Sequence, residues 1–402
     1  MSNKDSLDLV RIPKELKLIL EIIRLENGEI LQLKNVEWIT HINWSLFLKL
    51  ANHHRLYPLL FSKIKIIEQK IIPLGVVQTI FQKYKKNTFE MLHLSAEMEQ
   101  VSKRFAENGI RLLVLKGPVL ATDLYGDLSL RTCRDLDFLV SINDMEKVDE
   151  LLLKQGYKKD ESFQIETVLN DWKWRHHHIA YYHPYKRVKL EIHWRLNPGP
   201  GKEPTFQELW DRKRISSHTN QSVYYLGRED LFFFLITHGA RHGWSRLRWL
   251  VDINRILRQK MDWNKAIKLL KDHQSLHIGG QALLLSSELL KTPFPNEMMQ
   301  FAKDKHANRL AQSTLFYLEK MVNLHSEPLP EYITKYHDRY LFLLKSSQQK
   351  LLYIISIFYP SITDVNTFRL PKFLYFLYFP LRPVFLVLRK TKKQSLSLKT
   401  EK

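Results

Sequence analysis

Two short apolar runs, separated by a helix with glycine at both ends, constrain this chain more than any other stretch. "IRLLVL" (110–115) is short, apolar and bounded, as a buried strand is. Gly117 and Pro118 follow, and "VLATDLYG" (119–126) reads as a short helix stopped by Gly126. "DLDFLV" (135–140) is a second strand. A helix over 143–156 comes next, with Asn143 as N-cap and Gly156 as stop. "HHIAYYH" (177–183) and "RVKLEIHWRL" (187–196) form two more strands, joined by a turn at Pro184.

Helices surround this block. Residues 1–109 read as a helical N-terminal region, in which Leu16, Ile19, Leu20 and Ile23 recur at helical spacing. Breaks fall at "ENGE" (26–29) and "PLG" (73–75), and a long helix runs from Val76 to Asn108. The strand-bearing core spans 110–200, with "NPGPGKEP" (197–204) as the linker candidate. Residues 201–345 form a helical domain, 346–390 an apolar helical C-terminal region, and 391–402 a basic, disordered tail. At 402 residues and 44% hydrophobic, the chain suffices for two or three packing units.

The second strand holds two aspartates, a residue type that strands disfavour. Side chains two apart share a side, so Asp135 and Asp137 project together while Leu136 and Phe138 face the other way. Like charges so close resist ionisation unless a cation lies between them, and a hard divalent ion such as Mg²⁺ removes that cost. In "KLEIHW", Glu191 and His193 share one side. If the two strands are neighbours, Glu191 completes a triad. Three carboxylates can hold two ions ~3.5–4 Å apart, a clamp for phosphoryl transfer. Taken alone, an Asp-x-Asp strand can simply face solvent. Its neighbours sharpen the reading: Lys116 and Gly117 precede a helix N-terminus, which favours anions, and Arg131 and Arg134 offer guanidinium donors to phosphate.

"LKG", a short helix ending in "LYG", "RTCRDLDFLV" and "LEIHW" together resemble the polymerase-β-type nucleotidyltransferases, nearest the bacterial family of uncharacterised nucleotidyltransferases. "HGARHGWSRLRWLVDINRI" (238–256) resembles that family's helical segment. The resemblance implies an α+β fold: a mixed β-sheet nucleotidyltransferase core flanked by helices. It implies a nucleoside monophosphate moved from an NTP, most simply ATP, to an acceptor hydroxyl, with pyrophosphate released and two Mg²⁺ or Mn²⁺ ions bound. Asp135 and Asp137 would ligate metal, Glu191 would be the third acid or a general base, and Gly117 would border the triphosphate. Lys116, Arg131 and Arg134 would offset phosphate charge. One departure stands out: Pro118, where many members have a serine or glycine, removes one phosphate donor.

The remaining features set bounds. Cys133 is the lone cysteine, so no intrachain disulfide forms; it reads as a packed residue in a reducing compartment. His176–His178 and His183 read as surface or site-lining residues rather than a zinc site, with His178 a candidate for the nucleotide cleft. His193 reads as a hydrogen-bonded strand histidine. His238 and His242 lack the glutamate of a zinc protease, Gly239 standing there instead. Trp244, Leu247 and Trp249 read as core; Arg241, Arg246 and Arg248 read as a solvated face or, alternatively, as donors reaching substrate phosphates, with Asp252 a partner for one of them. A net charge of +20 predicts polyanion attraction, but no nucleic-acid motif accompanies it. "LLYIISIFYP" (351–360) and "KFLYFLYFPLRPVFLVLRK" (372–390) suit internal packing or contact with an anionic membrane surface. The expected location is cytoplasmic, peripheral to the inner membrane face if that contact forms. A non-catalytic nucleotide binder and a basic adaptor at a membrane surface or nucleic acid are the competing classes. The acceptor is not encoded in any motif.

Overall fold

A computed structural model describes residues 6–25, 41–64, 72–160, 173, 176–199, 201–326 and 328–400. The break expected at 26–29 lies outside the described residues. Four helices lead: α1 (Lys14–Arg24), α2 (Trp44–His53), α3 (Tyr57–Ile64) and the long α4 (Leu74–Glu107). The core follows as β1 (Leu112–Val114), α5 (Pro118–Tyr125), β2 (Leu136–Val140), α6 (Met145–Lys154), β3 (Lys158–Lys159), β4 (His178–His183) and β5 (Val188–His193). After α7 (Phe206–Asp211), β6 (Arg214–Ile215) and β7 (Tyr224–Tyr225), the chain is helical. The main helices there are α8 (Arg228–Arg241), α9 (Leu247–Leu257), α10 (Trp263–Asp272) and α11 (Leu276–Leu290). The fold is α+β with helices at both ends, as expected.

Among the described residues, seven strands make one mixed sheet in the order β3-β4-β5-β2-β1-β7-β6. β2 runs antiparallel to β1 and parallel to β5. Strand alternation sorts the two faces. Leu136, Phe138, Val140, Leu190 and Ile192 join a core with Leu94, Met98 and Phe105 of α4 and Val148 and Leu152 of α6. Leu113, Leu115 and Leu139 of the opposite face join the larger core built from the helical units. Burying each such side chain contributes ~1.5–3 kcal/mol, so both faces are fixed and Asp137 is held on the helical side.

Several local expectations change. Asn143 is not the N-cap of α6: Ser141 accepts from Asn143 N and opens a 3₁₀ turn from which α6 continues. The proline- and glycine-rich stretch is anchored, because Glu203 accepts from the backbone N–H of Leu196 and Asn197, each at 2.9 Å. The final helix runs from Tyr378 to Thr400, so the backbone is helical over most of the segment expected to be disordered.

Candidate active site

β2 and β5 lie side by side with Asp137 opposite Glu191 and Leu139 opposite His193. Parallel pairing puts the two acids on one face. Asp137 is 1% exposed. Lys116 Nζ, arriving from the end of β1, sits 2.9 Å from its Oδ1, and His193 Nε2 lies 3.3 Å from the same atom. Burial pushes the Asp137 carboxyl up, but Lys116 and His193 outweigh it and the net shift is downward. Oδ2 is buried with no hydrogen-bond donor among the described residues.

Glu191 is held by Lys189 Nζ at 2.7 Å, with His193 Nε2 at 3.8 Å and His178 Nε2 at 3.9 Å. Burial raises its pKa; His193, His178 and Lys189 reverse that and hold it well below the usual carboxylate range. A carboxylate so depressed is a poor general base and a good cation partner. Asp135 stands just ahead of β2, half-buried, and burial plus the charge of Asp137 raise its pKa while Lys116 opposes. His193 is buried; that lowers its pKa, but Asp137 and Glu191 prevail and raise it.

Helix α8 covers this face. The ring of Phe234 lies 5.8 Å from Lys116 Nζ. Arg241 Nη1 donates to His177 Nε2 at 2.8 Å and Nη2 to His238 Nδ1 at 3.4 Å, while its buried Nε lacks a partner among the described residues. Burial pushes Arg241 down to about 10, and Glu191 and Asp137 pull the other way. Arg241 is part-buried and Arg246 and Arg248 are each 8% exposed, so none of the three forms a solvated face. Gly239 is required because a Cβ there would collide with the indole of Trp244, which is fully buried as expected.

The residues named from sequence separate into two groups. Asp135, Asp137, Glu191 and Lys116 converge. Gly117 adopts φ +86° as N-cap of α5, with Pro118 at the first helical position, where a missing N–H costs the helix nothing. Arg134 is exposed beside Asp135. Arg131 does not join them: it is 2% exposed and bound to Asp252 by Nε–Oδ1 and Nη2–Oδ2 hydrogen bonds of 2.9 and 3.0 Å. Asp252 therefore pairs with Arg131 rather than with an arginine of its own segment. Cys133 is buried, its thiol donating to the Asp135 carbonyl at 2.8 Å, and burial pushes the thiol up to about 11. Lys189 and Arg55 carry site charge that sequence reading missed. Lys189 shares a strand face with Glu191 and was legible by alternation; Arg55 comes from a distant turn and was not.

Asp137, Glu191 and His193 each offer a ligand atom within 4.8 Å of the others. Two carboxylates, an orphaned buried oxygen and a third acid nearby fit a hard divalent cation. His177, His178 and His193 are also mutually close. There Arg241 occupies His177 Nε2, placing a cation where a metal would have to sit.

No curated protein matches the chain. Residues 40–291, from just before α2 to the end of α11, match a family described as uncharacterised nucleotidyltransferase, over more than half of the sequence. With the acid-bearing strands inside that span, the chain belongs to the uncharacterised nucleotidyltransferase family.

Proposed function

We propose that the protein moves a nucleoside monophosphate from an NTP, most simply ATP, to an acceptor hydroxyl, using two Mg²⁺ or Mn²⁺ ions held by Asp135, Asp137 and Glu191. Bound divalent ions would supply charge neutralisation for the triphosphate and a lowered pKa for the acceptor hydroxyl. The chain's own groups do the rest. Lys116, Gly117 and the first turn of α5 border the triphosphate, and Arg241 adds positive charge beside it. The acceptor oxygen bonds to the α-phosphorus as the bond to the bridging oxygen breaks. Pyrophosphate leaves with that electron pair, and the hydroxyl proton passes to a carboxylate of the cluster. Arg131 acts at a distance, by fixing the segment that carries Asp135.

One observation carries this reading: Asp137 and Glu191 face each other across parallel strands, with a carboxylate oxygen buried and unpartnered. The test is incubation with each labelled NTP, Mg²⁺ and a cell extract. Label entering an acceptor with pyrophosphate release is the expected result; nucleotide binding without release would favour a non-catalytic binder.

A peripheral membrane contact has its own support. No described helix is long and apolar enough to cross a bilayer. Yet Leu351, Ile355, Phe373, Phe376 and Val387 are all more than half exposed on the C-terminal helices, beyond the family match. Lys350, Arg369 and Lys372 lie among them, a combination suited to an anionic lipid surface.

A further inference from the structure

A cavity of about 750 Å³ lies beside the segment leading into β2, walled by α2, α4 and the β4–β5 turn. Its lining includes Cys133 and Arg134, the two residues before Asp135. Six cations border it, Arg55, Lys83, Lys86, Arg134, Lys186 and Arg187, against a single carboxylate, Glu90. The lysines have partners: Asn52 Oδ1 at 3.0 Å for Lys83, Glu90 at 3.8 Å for Lys86 and Glu97 at 2.7 Å for Lys186. The side chains of Arg55, Arg134 and Arg187 have no hydrogen bond or ion pair among the described residues.

Backbone geometry gives a second observation. Arg55 (φ +55°) and Arg187 (φ +54°) both occupy the left-handed region. One follows α2 and the other closes the β4–β5 turn. Glycine or asparagine would suit either place at lower strain. Arginine at both, facing one cavity, indicates that the guanidinium is what these positions require.

We propose that this cavity is the acceptor site and that the acceptor is a small phosphorylated polyol, its phosphate bound by Arg55, Arg134 and Arg187 and its hydroxyl presented to the acids through Asp135. The assignment rests on the nucleotidyl-transfer reading above. A volume of this size suits a small organic ligand and exceeds the need of a lone phosphate. Forked guanidinium donors match phosphate oxygens. Asn52, Thr132 and Glu90 in the wall offer partners to hydroxyl groups. The NTP's own phosphates belong elsewhere: no residue of 116–126 lines the cavity. Crowding supports an anionic guest. Burial pushes Arg55 down, and Arg248, Arg246 and Arg134 push it further, with Asp135 opposing; a phosphate would relieve that repulsion.

The test is calorimetric binding of ribose 5-phosphate, glycerol 3-phosphate, ribose and a non-hydrolysable ATP analogue to the full chain. The variants are Arg55→Gly and Arg187→Gly, which remove the guanidinium while easing the backbone, and Arg134→Gln. Thermal midpoints verify folding. A phosphorylated probe should bind, ribose should not, and each variant should weaken the phosphorylated probe ~10-fold or more with the ATP analogue unaffected. Equal weakening of the ATP analogue would make the cavity a triphosphate site and overturn the proposal. So would unchanged binding in the variants, or no binding by either phosphorylated probe. Pyrophosphate release is scored separately. Release without cavity dependence rejects the acceptor site alone, and cavity binding without release rejects the transfer reading alone.

Discussion

Arg131 and Arg134 stand three residues apart in one irregular segment, and their surroundings give them different work. The Arg131–Asp252 pair is dry, bidentate and joined by the Tyr125 hydroxyl, which donates to Asp252 Oδ1 at 2.7 Å. Removing one partner of a buried pair strands the other charge, at a cost of ~3–5 kcal/mol. Arg131→Ala is therefore expected to lower unfolding free energy by that amount in a denaturant titration, whereas an unchanged midpoint would contradict the assignment. Asp137→Asn is expected to behave in the opposite way. It keeps the shape of a side chain whose Oδ2 has no donor, so the fold should hold while nucleotide transfer falls by more than ~100-fold, beyond the usual loss for an outer partner of a metal ligand. Equal turnover of variant and parent in the pyrophosphate assay would remove Asp137 from the site.

At the level of elements, the strands were legible wherever they were long enough to show a period. The alternation of Leu136, Asp137, Phe138 and of Leu190, Glu191, Ile192 told which side each acid takes. The register that sets Asp137 opposite Glu191 was not written in either strand, because pairing is settled by the shared core beneath them. β3, β6 and β7 have two residues each and carry no periodic signal. Arg131 and Asp252 are 121 positions apart, so no local pattern could join them. The segment with Gly239 shows the converse: its glycine looked like an interrupted motif and is a packing contact with Trp244. Gly239→Ala should overpack α8 and cost ~1–3 kcal/mol, read as a lower thermal midpoint. For the C-terminal helices, deletion of 346–402 should abolish flotation with phosphatidylglycerol vesicles and leave the folding transition of the remainder intact. Undiminished flotation would remove the membrane reading.

Across the whole molecule, buried neutral histidines tie stability to pH. Burial holds His54, His238 and His242 well below their usual pKa. A histidine depressed in the fold is neutral there and takes up a proton only when the chain opens. Its contribution is complete above the unfolded value near 6.5 and falls away as pH drops below it. Each such group should cost on the order of 1 kcal/mol of stability by pH 5.5. Thermal midpoints should be level between pH 7 and 8 and fall steadily from 6.5 to 5; a level midpoint down to pH 5 would refute this.

The contacts of the 125–135 segment also tie the sheet to the helical layer. Tyr125 and Arg131 both grip Asp252 of α9, and Arg248 of the same helix donates to the Thr132 carbonyl and hydroxyl. Three rivets thus clamp the acid-bearing strand ends to the helical layer. Any movement between these two halves has to break all three contacts.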